Sequence, residues 1–509
     1  MLIKNKIEEK TKNLSKPRKT LPQKMVQGGA FISSLKIIQK VLSLIRLVVI
    51  GRILAPSDFG LMGIALLTMS ALETFSATGF SQGLIQKKEN TDSYLDAAWT
   101  VLIMRGFIIF IILYFVAPYV AIFFHTPAVK PIIQVLGFLT FFQAFSNIGV
   151  IFFQKELEFN KVFVYRFVEI STNFIVAVLA AVILRSVWAL VLGLLAEKVV
   201  SFIISYLIHP YRPRLSKDLG KAKELFGFGR WILGSSILIF IGEHIDDIFV
   251  GRVLSAVALG FYQMAYRISN ILETEITEVI SSVAFPAYAK IQDQQTRLQK
   301  AYFRIMRLTI AISLPITVGM VLLAPEFTRI FLGEKWMPIV TAMQLLAVAG
   351  LIKTIVSTGS PLFTGSGYPN YEFYMQLIRG LTIIIVIYPL IIYMGIPGAA
   401  LGVILSVAGM SIIWYPLSQK ITKAPWRKYF DNFWPPLFCS LLMAGSIYVA
   451  KLYWNPMQQP LGMAIFVFVT IVIMSIGVYI ASVYLLQKYY PHYDIFDEIK
   501  FFHKSLVRR

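Results

Sequence analysis

Apolar runs of about 20 residues, each long enough to cross a bilayer, recur along nearly the whole chain, and every connection between them is short. In hydrocarbon the backbone must satisfy its own polar groups, so runs of this length read as helices. Charged residues make up 15% of the chain, against roughly 25% in ordinary soluble domains. The pattern predicts an all-α polytopic membrane protein. Fourteen spans are expected, at about 27–52, 57–83, 94–118, 129–154, 161–185, 187–209, 225–252, 257–287, 297–324, 337–363, 371–394, 396–419, 427–452 and 460–487. Turn residues separate them, among them Ala55-Pro56-Ser57-Asp58, His125-Thr126-Pro127 and Gly395-Ile396-Pro397-Gly398. No gap holds an extramembrane domain. A basic tail precedes the first run, which is too long for the apolar core of a secretory leader. The single cysteine, Cys439, excludes an intramolecular disulfide framework.

The net charge of +21 could suggest nucleic acid. In a membrane protein it reads instead as cytoplasmic loops rich in lysine and arginine, and no nucleic-acid partner is expected. With the N-terminus inside, the inner side receives Lys87, Lys88, Lys155 and Lys161. It also receives Arg212 to Lys223, Lys290 to Lys300, Lys420 to Lys428 and both tails. The outer side receives only single residues: Arg52, Lys130, Arg185, Arg252 and Lys335. Both termini are therefore expected in the cytoplasm.

The chain also repeats itself. GRILAPSDFG, from Gly51 to Gly60, returns as GRVLSAVALG, from Gly251 to Gly260. Met104-Arg105 returns as Met306-Arg307, and Ala117-Pro118 as Ala324-Pro325. The offset is six helices, an even number, which predicts two lobes of six helices in parallel repeat with two extra C-terminal helices. The expected organisation is a basic tail (1–26), an N-lobe (27–209), a basic linker (210–224), a C-lobe (225–419), two added spans (427–487) and a second tail (488–509). The corners at Gly51, Arg52, Gly251 and Arg252 are candidate hinges or gates, because glycine permits close backbone approach and arginine reaches head groups.

Charges at mid-bilayer depth cost at least ~2.5–3.5 kcal/mol each, so they mark partners or a wet cavity. Span 1 carries Ser33, Lys36, Lys40 and Ser43 on one helical face, with Arg46 beside it. Span 8 carries Gln263, Arg267, Asn270, Thr274 and Thr277 at helical spacing, and span 7 carries Ser236, Glu243, Asp246 and Asp247. Span 2 carries Glu73. These four helices flank the repeated corners and are expected to line a central aqueous cavity. Lys36, Lys40, Arg46 and Arg267 are candidates to meet an anionic head group, with Lys353 and Arg379 joining from later spans. The competing reading is ion pairing with cavity acids. Arg166 and Glu169, three apart, are placed to pair with each other, and Arg230, Arg304 and Arg307 to snorkel.

Glu243, Asp246 and Asp247, and Glu73 with them, are candidates for an ion-coupling site taking a proton or sodium ion. His244 points about 100° away from the Glu243–Asp247 face, and no second cluster with ligand spacing occurs, so no metal or other cofactor is expected. No phosphate-cradling loop, metalloprotease helix or nucleophile elbow is present, and the chain does not read as an enzyme.

Gly51 through Met62, Gly79-Phe80-Ser81-Gln82-Gly83-Leu84-Ile85-Gln86, and Asp247 through Arg252 followed by Leu259-Gly260-Phe261-Tyr262 resemble a family signature. It is that of the polysaccharide-transport branch, the Wzx-like flippases, of the multidrug/oligosaccharidyl-lipid/polysaccharide exporter superfamily. The resemblance runs over nearly the whole chain and is strongest in spans 1–2 and 7–8. It implies a V-shaped two-lobe fold with a central cavity. It also implies translocation of polyprenyl-linked glycans across the bacterial inner membrane by alternating access, with membrane lipids and the pathway's polymerase and glycosyltransferases as partners. Some relatives combine a span-7 acid with acids in spans 11 and 12 as a sodium site; here those two spans offer only Glu372, near an end. The alternatives are a gradient-driven drug or cation antiporter, which would favour net acid, and a membrane glycan polymerase, ligase or glycosyltransferase, which would favour a larger loop.

Overall fold

The computed structural model describes residues 21–76, 92–156, 158–216, 240–270, 277, 280 and 284–489. The Gly79–Gln86 motif, Arg230, Ser236 and Thr274 lie outside them, as do most of the 210–224 linker and much of both tails. Among the described residues the regular structure is helical, with no strand. The long helices of the first half are α1 (Leu21–Ile53), α2 (Pro56–Phe75), α3 (Asp92–Phe123), α4 (Val129–Phe145), α5 (Phe159–Leu184) and α6 (Trp188–Ile208). Then come α7 (240–254, its last turn a π-helix from Val250), α8 (Ala256–Ser269) and α9 (Gln295–Phe327, prolonged by a π-turn to Leu332). They are followed by α10 (Val340–Ser357), α11 (Pro369–Met394), α12 (Ile396–Thr422), α13 (Trp426–Tyr453) and α14 (Leu461–Tyr489).

Ten of the described helices are long and apolar enough to cross a membrane, and the protein is a multi-pass membrane protein. The expected spans 1, 4, 7 and 8 are not among the ten. α1 carries Lys36, Lys40, Arg46 and Arg52; α4 ends after 17 residues at Phe145, where the extended backbone of Ser146 breaks the expected 129–154 span; and α8 is described over only 14 residues. Ile183, Leu207 and Ile412 are each more than 70% exposed, a surface suited to lipid rather than water.

The helix boundaries follow local chemistry. Pro56 opens α2, and the Asp58 carboxylate accepts the Ala55 N–H at 2.9 Å. Its other oxygen accepts the Val187 N–H at 3.0 Å, tying this corner to the start of α6. At the second corner the Ser255 hydroxyl caps α8 by accepting from the Ala258 N–H. Arg185 (φ 46) ends α5, and Gly395 (φ 62) turns α11 into α12.

Packing repeats with the sequence. α2 packs on α4 as α8 packs on α10; α3 on α4 as α9 on α10; α5 on α6 as α11 on α12. α4 also packs on α6 as α10 packs on α12. α2 and α8 pack on each other, which joins the two sets. α13 lies on α9, with α14 on α13. Trp336 is fully buried where the sets meet, edge-on to Phe59 of the first repeated corner and to Phe261, the residue after the second.

Candidate functional site

The two repeated corners clasp each other's half of the molecule. A helix leaves its last carbonyls without backbone partners, and a cation there is favoured by the helix dipole. Arg52 donates to the carbonyls of Ile330 and Phe331, the latter at 2.9 Å, at the C-terminal end of the α9 extension. Arg252 donates to the Phe123 carbonyl at 2.6 Å, at the end of α3, and lies against the His125 ring. α3 and α9 occupy equivalent places in the repeat, so the two contacts are reciprocal. Lys335 fastens the first corner by donating to the carbonyls of Arg52 and Leu54, and the Trp336 indole donates to that of Gly51.

The tenth residue of each corner shows why glycine returns there. A Cβ on Gly60 would lie 1.7 Å from the Ala256 carbonyl oxygen, and a Cβ on Gly260 would lie 2.1 Å from that of Pro56. α2 and α8 therefore cross backbone to backbone at this end. Gly251 is also close-packed, its Cβ position 2.9 Å from the Phe124 ring, whereas Gly51 is only snug against Leu332 at 3.2 Å.

Beside this crossing is a cavity of about 550 Å³, walled by Lys40 of α1, Ser70 of α2, Glu243, Asp246 and Asp247 of α7, and Gln263 and Arg267 of α8. Its wall is of mixed sign. Asp246 is buried and accepts from the Tyr262 hydroxyl. Asp247 faces the His244 ring at 3.5 Å. Glu243 meets Lys353 at 3.4 Å and Arg379 at 3.6 Å. Arg267 makes no ion pair with a described carboxylate. A neck of about 110 Å³, between Arg46 and Arg267, shares Gly63, Leu66 and Gln263 with the large cavity.

Lys40 and Arg267 thus share the large cavity with three of the four acids singled out in the sequence. Arg46 stands at the neck, where its guanidinium donates to Asn173. Lys36 is exposed on α1 and lines none of these spaces. Lys353 and Arg379 reach the site through Glu243. Glu73 stands apart, its carbonyl accepting from Arg105 at 2.7 Å. Arg166 pairs with Glu169 at 3.0 Å, and Arg307 donates to Asn432. Among the described residues no group of three or more His, Cys, Asp or Glu side chains forms a metal set. Sequence reasoning gave no site role to Asn173, Glu197, Tyr262, Lys335 or His125. Of these Glu197, next to Lys198 inside an apolar run, carried a legible signal.

A family model described as "polysaccharide biosynthesis protein" matches residues 49–341, which hold both corners. The chain belongs to this polysaccharide biosynthesis family. It is 24% identical over 429 residues to the lipopolysaccharide biosynthesis protein WzxC of Escherichia coli K12, covering 83% of this chain and 86% of that one. To the teichuronic acid biosynthesis protein TuaB of Bacillus subtilis it is 25% identical, over 58% of this chain and 62% of the other. Its fold is that of a lipid II flippase MurJ in an inward closed conformation (TM-score 0.74, 15% identity, 90% of this chain and 98% of that one). A multidrug resistance MATE transporter in an inward-facing conformation is similar at a TM-score of 0.59 and 15% identity, over 78% of this chain and 98% of that one.

Proposed function

We propose that this family member is a flippase, not an enzyme. It carries a polyprenyl-pyrophosphate-linked oligosaccharide across the cytoplasmic membrane for surface-polysaccharide assembly. The observation that carries this reading is Arg267, a charge without a described acidic partner, facing Lys40's cavity beneath a closed crossing of α2 and α8. The polyprenyl tail stays in hydrocarbon, so only the anionic head needs a wet route. Arginine forks onto phosphate oxygens and lysine acts as a mobile point charge. Glu243, held by Lys353 and Arg379, keeps the acidic wall from expelling the head. Spreading contacts over Lys40, Arg46 and Arg267 keeps each one moderate, as a passing ligand requires.

In this reading the repeated packing makes two six-helix lobes, α1–α6 and α7–α12, with α13 and α14 added on the α9 side. The basic loops and both termini face the cytoplasm. The Gly-Arg clasp closes the outer side and the cavity serves the inner one. Opening the clasp while closing the inner side delivers the head outward, alternating access between paired lobes. The substrate comes from glycosyltransferases and passes to a polymerase.

The acidic wall of Glu243, Asp246 and Asp247 favours a second reading, a gradient-driven antiporter. The two separate on charge reversal. If the cavity binds the head group, Lys40→Glu or Arg267→Glu leaves a folded, inserted protein that no longer accumulates glycan outside the membrane. Normal glycan export by both folded variants would exclude these residues as the head-group site.

A further inference from the structure

A second polar cavity, of about 330 Å³, lies between α1, α5 and α6. It adjoins the neck through Arg46, which lines both. The neck in turn adjoins the large cavity through Gln263 and Arg267. The three spaces therefore run in a row from α7 and α8, across the phosphate candidates, to α5 and α6.

Its wall differs in kind from that of the large cavity. Arg46 and Arg166 are matched in number by Glu169 and Glu197. Arg166 pairs with Glu169 at 3.0 Å. Lys198 pairs with Glu197 at 3.1 Å, and the Asn173 amide donates to Glu197 at 2.9 Å while its oxygen accepts from Arg46. Two cations and two carboxylates leave this wall without a net charge to draw a free ion. What remains are spare acceptor lone pairs on the two carboxylates and spare N–H groups on Asn173 and Arg46, with Gln39 and Ser43 beside them. Such a wall suits neutral hydroxyls, which donate and accept at once. Asn173 is only 3% exposed, a buried polar side chain in this wall. The volume is at the lower end of small-molecule pockets, roughly 300–1,000 Å³, which is room for a short saccharide and not for a long one.

We propose that the α1–α5–α6 cavity is a saccharide subsite. It receives the sugars adjoining the pyrophosphate and hydrogen-bonds their hydroxyls through Asn173 and Glu197. The phosphates remain at Lys40 and Arg267, and Arg46 bridges the two. This rests on the flippase reading and adds the part of the substrate that the N-terminal half recognises.

The test is protection of single cysteines in a Cys439→Ser background, in detergent-purified full-length protein. Ser43→Cys reports the subsite and Ser70→Cys the large cavity. The probes are lipid-linked glycan extracted from the host and polyprenyl pyrophosphate without sugar. At about ten times its Kd the glycan lipid slows maleimide labelling at both positions by about tenfold. The sugarless lipid slows it at Ser70→Cys alone. Glu197→Gln and Asn173→Ala, each combined with the reporters, lose protection at Ser43→Cys and keep it at Ser70→Cys. Protection by the glycan lipid at Ser70→Cys alone would overturn the subsite and leave the flippase reading standing. Protection at Ser43→Cys by the sugarless lipid, or by sodium or low pH without lipid, would overturn it too. No protection at either position by either lipid would sink both readings.

Discussion

The crossing of α2 and α8 invites the smallest perturbation the genetic code offers, a single methyl group. In Gly60→Ala the new Cβ falls 1.7 Å from the Ala256 carbonyl oxygen. Carbon–oxygen contacts of this type lie at about 3.3 Å. The helices must therefore part by the difference, 3.3 − 1.7, or about 1.6 Å. Overpacking of this degree costs about 1–3 kcal/mol, a shift of about 5–150-fold between the closed and parted arrangements. The parted arrangement opens the large cavity on the clasp side. The assay places a cysteine at Ser70, on the cavity wall, in the Cys439→Ser background and adds a membrane-impermeant maleimide from outside. Gly60→Ala raises the labelling rate at least about fivefold, and Gly260→Ala does the same, since its Cβ would lie 2.1 Å from the Pro56 oxygen. Gly445→Ala, whose Cβ meets nothing within 4 Å, leaves the rate unchanged. Unaltered labelling in a Gly60→Ala protein of normal abundance would refute the reasoning.

Glu243→Gln leaves Arg379, only 6% exposed, without its carboxylate. Stability falls by about 1–3 kcal/mol, read as a lower denaturation temperature, and Arg379→Leu in the same chain restores part of it; a drop that the second change deepens would argue against the pairing. Asp247→Asn removes the response of transport in vesicles to an imposed proton gradient, and a response equal to wild type takes Asp247 off the list of coupling groups. His209, beyond the end of α6, accepts the Tyr211 N–H at 3.1 Å, and burial, aided by Lys161, holds its pKa below the usual histidine range. The unfolded chain then binds the extra proton, so this contribution is complete above the unfolded value of about 6.5 and is lost as pH falls below it and through the lower folded value. Thermal stability between pH 7.5 and 5 should fall less in His209→Gln than in wild type; equal slopes would remove His209 as the cause.

Periodicity made much of this legible. Runs of membrane length gave the helices, and the ten-residue repeat marked the two corners, but the close backbone approach expected at Gly51 and Gly251 falls instead at Gly60 and Gly260. Polar stripes on α1, α7 and α8 marked cavity walls because a charge in hydrocarbon is too costly to be accidental. What periodicity does not carry is register between helices distant in sequence. Arg46 and Asn173 stand 127 positions apart, and Arg52 and Phe331 stand 279 apart. Glu243 could be seen as a cavity acid, yet its two cations come from α10 and α11, whose facing surfaces no single stripe reveals. Glu73 was grouped with the cavity by its helix, but Arg105 of α3 engages that turn instead. Backbone carbonyls, which take Arg52 and Arg252, have no signature in side-chain identity at all.

The central claim is that a lipid-linked glycan crosses through the cavity of Lys40 and Arg267. Purified protein reconstituted into vesicles loaded with the host's lipid-linked glycan, with a membrane-impermeant glycosidase outside, measures this directly. Wild-type protein exposes inner-leaflet glycan to the enzyme far faster than empty vesicles do, and Arg267→Glu, folded and equally incorporated, returns the rate to the empty-vesicle baseline. A wild-type rate no faster than that of empty vesicles, or an Arg267→Glu rate equal to wild type, would contradict the account.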